Sequence, residues 1–153
     1  MNENIRVYVD TSVFGGFFDS EFDLASQKFF NQVKRNEFKL VTSAVVYEEI
    51  QPAPKEVKLF FEEMLQYAEI IEVTSEALEL RDAYLKENIV SSKYLDDALH
   101  VALATVSGCQ IILSWNFKHI VHYHKIPLYN AVNTLKEYNH IKIFSPLEVI
   151  KYD

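Results

Sequence analysis

A chain of 153 residues, 49% hydrophobic and 24% charged, is long enough and apolar enough for one domain spanning residues 1–153 with a real core. Its formal charge of −7 excludes a module that grips nucleic acid through basic side chains alone. That charge still admits clustered carboxylates that hold divalent cations and so neutralise a phosphate substrate, and it admits a basic protein partner.

At the N-terminus there is no charged-then-apolar leader, and no apolar run reaches the ~18–20 residues of a membrane helix, so a soluble cytoplasmic protein is expected. From Ile5 to Val9 apolar residues alternate with Arg6 and Tyr8, the period of a strand, and the run stops at Asp10, Thr11 and Ser12. Ligands of open α/β sheets sit outside the carboxyl ends of strands, which places Asp10 where chemistry occurs; a simple cap on the next segment is the alternative. Gly15 and Gly16 permit positive φ and close backbone approach. The segment Phe14–Phe22 is too aromatic for an exposed linker and reads as a rim or dimer contact.

Helical spacing continues over about 24–34, with Phe29, Phe30 and Val33 inward, and Phe38–Thr42 reads as the second strand. Ser43 is a candidate N-cap for a short helix over 44–50 that ends before Pro52 and Pro54. Pro54 opens the next helix, with Val57, Phe60, Phe61 and Met64 at helical spacing. A third strand is expected at 70–73, then a helix from Thr74-Ser75 to about Glu87, with Leu78, Tyr84 and Leu85 inward. Ser92 precedes a helix over about 93–106, closed by Gly108.

The run Ile111–Leu113 is continuously apolar, as in a central parallel strand, and ends at Ser114, Trp115 and Asn116. Just before it, Cys109 is the only cysteine, which excludes internal disulfides and thiolate metal sites; it reads as a buried, inert thiol. Residues 118–125 form the one locally basic stretch. Ile126–Tyr129, with Pro127, reads as a short edge strand, followed by a helix near 131–138, a strand over 141–144 and a last turn over 146–150. Strands alternating with helices indicate an α/β fold, a parallel sheet with helices on both faces.

Asp10, Asn116 and a glutamate of the 44–50 helix can meet at the carboxyl edge of such a sheet. Helical periodicity alone does not separate Glu48 from Glu49. In the next acidic pair, Asp97 shares a stripe with Tyr94, Val101 and Ala104, while Asp96 lies ~100° round the helix and reads as a first-turn acid favoured by the helix dipole. Asp97 joins the edge only if its helix starts there. Carboxylates converging beside an amide oxygen make an oxygen-ligand pocket suited to Mg²⁺ or Mn²⁺, and such pockets promote phosphodiester hydrolysis.

Val9-Asp10-Thr11-Ser12, Ser43-Ala44-Val45-Val46-Tyr47-Glu48, Asp97-Ala98-Leu99-His100-Val101-Ala102 and Leu113-Ser114-Trp115-Asn116-Phe117 resemble, in order and spacing, the PIN-domain family. The resemblance implies a three-layer α/β/α fold and a Mg²⁺- or Mn²⁺-dependent ribonuclease, with RNA as substrate. It also implies a toxin of the VapC type, paired with a small antitoxin and possible as a homodimer. Carried over by position, Asp10, Glu48 and Asp97 are the metal-binding and catalytic acids. The spacing from Ser43 selects Glu48 over Glu49, and the Asp-Ala-x-x-x-Ala pattern selects Asp97 over Asp96. Ser12 resembles the family hydroxyl beside the metal, and Asp96 is a supporting acid. Asn116 stands where the family carries a fourth acid, a departure that brings an amide oxygen and no charge.

Three other readings compete. Haloacid-dehalogenase-like phosphatases also place an acid after the first strand but need a second aspartate where Ser12 stands. A PIN-like fold retained as a binding module, its acids structural, fits both Asn116 and the acidic charge. His119, His122 and His124 could suggest zinc, yet their spacing fits one helical face poorly, and a solvated basic face is the plainer reading. Lys118 and Lys125 on that face are candidate RNA-phosphate contacts. His100 reads as a partner in a local hydrogen bond, and Trp115 as core.

Overall fold

The computed structural model describes residues 5–152; the extreme N-terminus, where the absence of a leader is read, falls partly outside them. Five parallel strands form one sheet: β1 (Arg6–Val9), β2 (Lys39–Ser43), β3 (Ala68–Ile71), β4 (Ile111–Leu113) and β5 (Lys142–Phe144), in the order β3-β2-β1-β4-β5. Among the described residues seven helices cover them: α1 (Thr11–Gly16), α2 (Asp23–Lys34), α3 (Ala44–Ile50), α4 (Lys55–Leu65), α5 (Ser75–Lys86), α6 (Leu95–Val106) and α7 (Ile126–Leu135). The result is the expected three-layer α/β/α sandwich.

Two features of this order position the site. β1 lies in the middle, paired with β2 through Val7–Leu40 and with β4 through Val9–Leu113, and its Val7, Tyr8 and Val9 are fully buried. The chain winds outward from β1 to β3 on one side and from β4 to β5 on the other, so the crevice between β1 and β4 is the topological switch point, where open α/β sheets bind ligands. α6 supplies the second feature. Arg6, at the start of β1, donates to the Ser107 carbonyl just past the end of α6, while His100, earlier in that helix, reaches Tyr8 near the end of β1. The helix therefore begins at the carboxyl edge of the sheet and carries Asp97 to it.

Two elements differ from the sequence reading. Ile126–Tyr129 is not an edge strand: it is the first turn of α7, and Pro127 sits where a missing N–H costs no helical hydrogen bond. The glycine pair ends a short helix, and neither glycine has positive φ. Close approach is the real constraint at Gly16, where a Cβ would lie 2.7 Å from the Trp115 Nε1 and 2.9 Å from the Ser26 Oγ. That contact seats the indole, whose Nε1 donates to Ser26 at 2.9 Å and whose ring stacks on Phe22 at 4.3 Å. Trp115 is thus core, as expected. Phe14 packs on Phe30, Phe60 and Phe61, and Phe17 stacks on Phe60 at 4.1 Å, so most of the aromatic segment is interior and Phe18 remains exposed. Cys109 is buried, and burial pushes its thiol above the ordinary pKa, as expected of an inert cysteine.

No helix among the described residues is long and apolar enough to cross a membrane.

Gly16→Ala should destabilise the fold by about 1–3 kcal/mol through overpacking against the indole. Gly15→Ala, with nothing within 4 Å of its Cβ position, should be neutral or stabilising by up to ~1 kcal/mol. Urea midpoints of the two variants check this; equal midpoints would refute the steric account.

Candidate active site

Asp10 follows β1 and is 4% exposed. Its backbone N–H donates to the Leu113 carbonyl at 3.2 Å, which closes the β1–β4 pair above the last strand residues. The carboxylate receives two short hydrogen bonds: Ser12 Oγ donates to Oδ1 and Ser114 Oγ to Oδ2, both at 2.6 Å. Each hydroxyl is itself oriented by a backbone donor, Trp115 N–H to Ser12 Oγ at 2.9 Å and Asn116 N–H to Ser114 Oγ at 2.8 Å. With their lone pairs so engaged, both serines present their protons to Asp10. Burial nevertheless pushes the Asp10 carboxyl above its ordinary value; the His100 charge and the two serine hydrogen bonds oppose that shift without cancelling it.

Of the two glutamates on α3, the structure brings Glu49 to this site and leaves Glu48 exposed. Glu49 Oε1 accepts from Thr11 Oγ1 at 2.7 Å and from His100 Nε2 at 2.6 Å. The reading that favours Glu48 therefore fails on geometry. Val46 and Ile50 are the buried stripe of α3, and at ~100° per residue Glu49 lies about 60° from Val46 while Glu48 lies about 160° away. That phase is present in the sequence. Burial acts to raise the Glu49 carboxyl, but the hydrogen bond and charge of His100 with the Thr11 hydroxyl outweigh it and hold it below its ordinary value.

Asp97, half-buried in the first turn of α6, joins the same cluster. Burial raises its pKa, the Glu49 charge adds to the rise, and His119, Asn116 and His100 work against it. The Asn116 Oδ1 accepts from the Lys118 and His119 backbone N–H groups at 3.2 and 3.0 Å, which leaves its amide N–H₂ as the group on the Asp97 side. The Asn116 amide oxygen thus caps a turn, and the side chain lies close enough to Asp97 to oppose the rise of its carboxyl. Asp96 is exposed, in keeping with a first-turn acid.

His100 is the residue whose importance the sequence understates. Its hydrogen bond is not local: it spans 51 residues to Glu49, and on the other ring edge Nδ1 meets Tyr8 OH at 2.7 Å. Burial pulls its pKa down, but the Glu49 hydrogen bond and the charges of Asp10, Glu49 and Asp97 prevail and raise it above the ordinary value. Tyr8, Thr11, Ser114 and Glu49 complete the set that sequence reasoning does not single out. Alternating Arg6-Val7-Tyr8-Val9 gives no hint that Tyr8 is polar-paired and fully buried.

The basic stretch divides. Lys118 is exposed, with its ammonium 5.8 Å from the Tyr94 ring centre, as is that of Lys93. Lys125 is tied to the Ile89 carbonyl, so its ammonium is committed within the fold. His119 is buried with its ring 3.8 Å from that of Tyr94, whereas His124 is exposed, and the three histidines do not converge as zinc ligands.

Among the described residues no three His, Cys, Asp or Glu side chains already stand at the spacing of a metal cage. The donor set of Asp10, Glu49 and Asp97 nonetheless fits a hard divalent cation in its chemistry: three carboxylates, no sulfur, and mutual repulsion between partly desolvated charges that a cation would relieve.

An all-parallel α/β/α sandwich with acids gathered at its switch point defines the structural class. Within it, the chain belongs to the PIN domain family, whose family model matches residues 7–118. The fold is similar to that of FitAcB from Neisseria gonorrhoeae, at 11% identity and a TM-score of 0.59, covering 94% of this chain and 99% of that one. It is similar to VapBC2 from Rickettsia felis bound to a promoter DNA fragment, at 13% identity and a TM-score of 0.58, with 91% and 97% covered. VapC20 of Mycobacterium tuberculosis, described as a Sarcin-Ricin loop cleaving toxin, aligns at 14% identity and a TM-score of 0.51, with 74% and 92% covered. No curated protein matches the chain in sequence.

Because the Asp10 carboxyl titrates above its ordinary value near ~3.9, its ionisation opposes folding. The penalty is absent below that pH, where folded and unfolded chains are both protonated, and complete above the raised folded pKa. Asp10→Asn removes that penalty but sets an amide N–H₂ against one serine proton, so its thermal midpoint in EDTA, relative to wild type, should rise as pH goes from 4 to 7.5. Scanning calorimetry across that range checks the sign; a relative midpoint that grows as pH falls would contradict it.

Proposed function

We propose that this protein is a Mg²⁺- or Mn²⁺-dependent endoribonuclease and the toxin of a toxin–antitoxin pair. The observation that carries the reading is the gathering of Asp10, Glu49 and Asp97 at the β1–β4 switch point of a PIN domain. Asp10, Glu49 and Asp97 would hold the cation, Glu49 replacing Glu48 in that role. When bound, the cation supplies Lewis-acid polarisation of the phosphate and a lowered pKa for water. The protein's own groups do the positioning. Ser12 and Ser114 fix the Asp10 oxygens, Asn116 holds Asp97 through its amide N–H₂, and Thr11 and His100 hold Glu49. Lys118 and Lys93, beside Tyr94 at the rim, supply phosphate contacts for RNA, a local exception to the −7 charge. Structures similar to this one include toxin–antitoxin complexes, one of them from Klebsiella pneumoniae, which supports a small antitoxin as partner; a homodimer is part of the same proposal. A soluble, cytoplasmic setting accords with it.

A second reading, a binding module without activity, draws support from Asn116, whose carboxamide adds no charge and whose oxygen is already committed.

Purified protein incubated with a labelled RNA pool and Mn²⁺ should cleave it, and EDTA should abolish cleavage. Asp10→Asn, Asp97→Asn and Glu49→Gln should each reduce the rate roughly 100-fold or more, while Glu48→Gln stays near wild type. Cleavage equal in all variants would dismiss the site; no cleavage and no Mn²⁺ binding by the wild type would favour the binding module. Lys118→Glu should weaken RNA binding and lower its salt slope by about one, whereas Lys125→Glu should act mainly on stability. Filter binding against salt separates the two.

A further inference from the structure

A continuous hydrogen-bonded chain runs beneath the carboxylates and ends on Glu49. Ser43, the last residue of β2, accepts from Val46 N–H at 3.4 Å and so caps α3. The same oxygen lies 2.8 Å from Tyr8 OH; Tyr8 OH lies 2.7 Å from His100 Nδ1; His100 Nε2 lies 2.6 Å from Glu49 Oε1. Tyr8, Ser43 and His100 are all buried, so water does not compete for these bonds. The proton positions follow from chemistry. Facing a carboxylate, Nε2 carries a proton whether the ring is neutral or charged. In the neutral ring Nδ1 then accepts from Tyr8, and Ser43 donates to the tyrosine oxygen. In the charged ring the two hydroxyls reverse and the chain stays unbroken.

We propose that Tyr8 and His100 are positioning residues for Glu49: through this relay they aim its carboxylate at the cation site. The inference rests on the metal-dependent reading of that site. Burying a phenol and an imidazole with no surface role is costly unless each is fully paired, and here each pair leads to one carboxylate. The relay also fixes Glu49 from two sides, because α3 is anchored at its cap by Ser43 and at its sixth residue by His100. Hydrogen bonds of this kind orient metal-ligating carboxylates, and their loss typically reduces metal affinity 10–100-fold.

The test uses full-length wild type, Tyr8→Phe, His100→Leu and His100→Gln. Mn²⁺ affinity is measured by calorimetry at fixed pH, kcat and KM by RNA cleavage, folding by circular dichroism, and the His100 ring by ¹⁵N NMR. Tyr8→Phe and His100→Leu should weaken Mn²⁺ binding about 10-fold or more and lower kcat with KM unchanged. His100→Gln, whose amide N–H can still donate to Glu49, should recover much of the affinity. The His100 ring should be protonated at Nε2 in wild type, with its Nδ1 resonance shifted in Tyr8→Phe. Folded Tyr8→Phe protein with Mn²⁺ affinity within twofold of wild type would overturn the proposal, whether or not His100→Leu folds. Wild type that neither binds Mn²⁺ nor cleaves RNA would overturn the nuclease reading and with it the assigned role, while an Nδ1 shift in Tyr8→Phe would still establish the relay itself.

Discussion

Asp10 is held by two serine hydroxyls whose own orientation is dictated by the backbone of the neighbouring strand's exit loop. Trp115 and Asn116 donate their N–H groups to Ser12 and Ser114, and the serines can then only donate onward to the carboxylate. The clamp requires β1 and β4 to be adjacent and in register, because Ser12 comes from one strand's exit and Ser114 from the other's. Displacing β4 by one residue would turn Ser114 to the opposite face of the sheet. Sheet order, register and the acid are therefore one constraint, and the fully buried Val7–Val9 and Ile112–Leu113 keep it in place.

A carboxylate fixed this way remains desolvated, and two more are brought near it. Coulombic repulsion among Asp10, Glu49 and Asp97 is countered within the protein by the His100 and His119 imidazoles and by neutral donors from Thr11, Ser12, Ser114 and Asn116. Such a cluster is costly to fold, and natural sequences retain costly polar clusters mainly where function needs them. The contrast with the exposed acids is informative. Exposed acids are screened by water and cost the fold little, whereas these three are packed by the sheet into one another's field.

The fold was legible because its signals are local: alternation in β1, a continuous apolar run in β4, Ser43 as a cap, Gly108 with φ of 79° after α6. The sequence alone does not place α7, because Pro127 suits a strand edge and a helix's first turn equally well. α1 is hidden in the sequence because two glycines look like a turn until Trp115, 99 residues on, is packed against the second. Asp10, Asp97 and Ser12 could be picked out from strand ends, helix phase and motif order. Glu49 could have been, by taking Val46 and Ile50 as the phase of α3. His100 and Tyr8 could not, since their partnership is purely tertiary.

Asn116 uses the two ends of its carboxamide differently. Its side-chain oxygen caps the turn formed by Lys118 and His119, a task an aspartate would perform equally well. Its amide N–H₂ then faces Asp97, and here the two residues part: an aspartate could not donate, and would add a further negative charge to the field that already raises the Asp97 carboxyl. The amide steadies Asp97 without deepening that repulsion. The negative charge of this cluster is thus carried by Asp10, Glu49 and Asp97, with Asn116 beside them neutral.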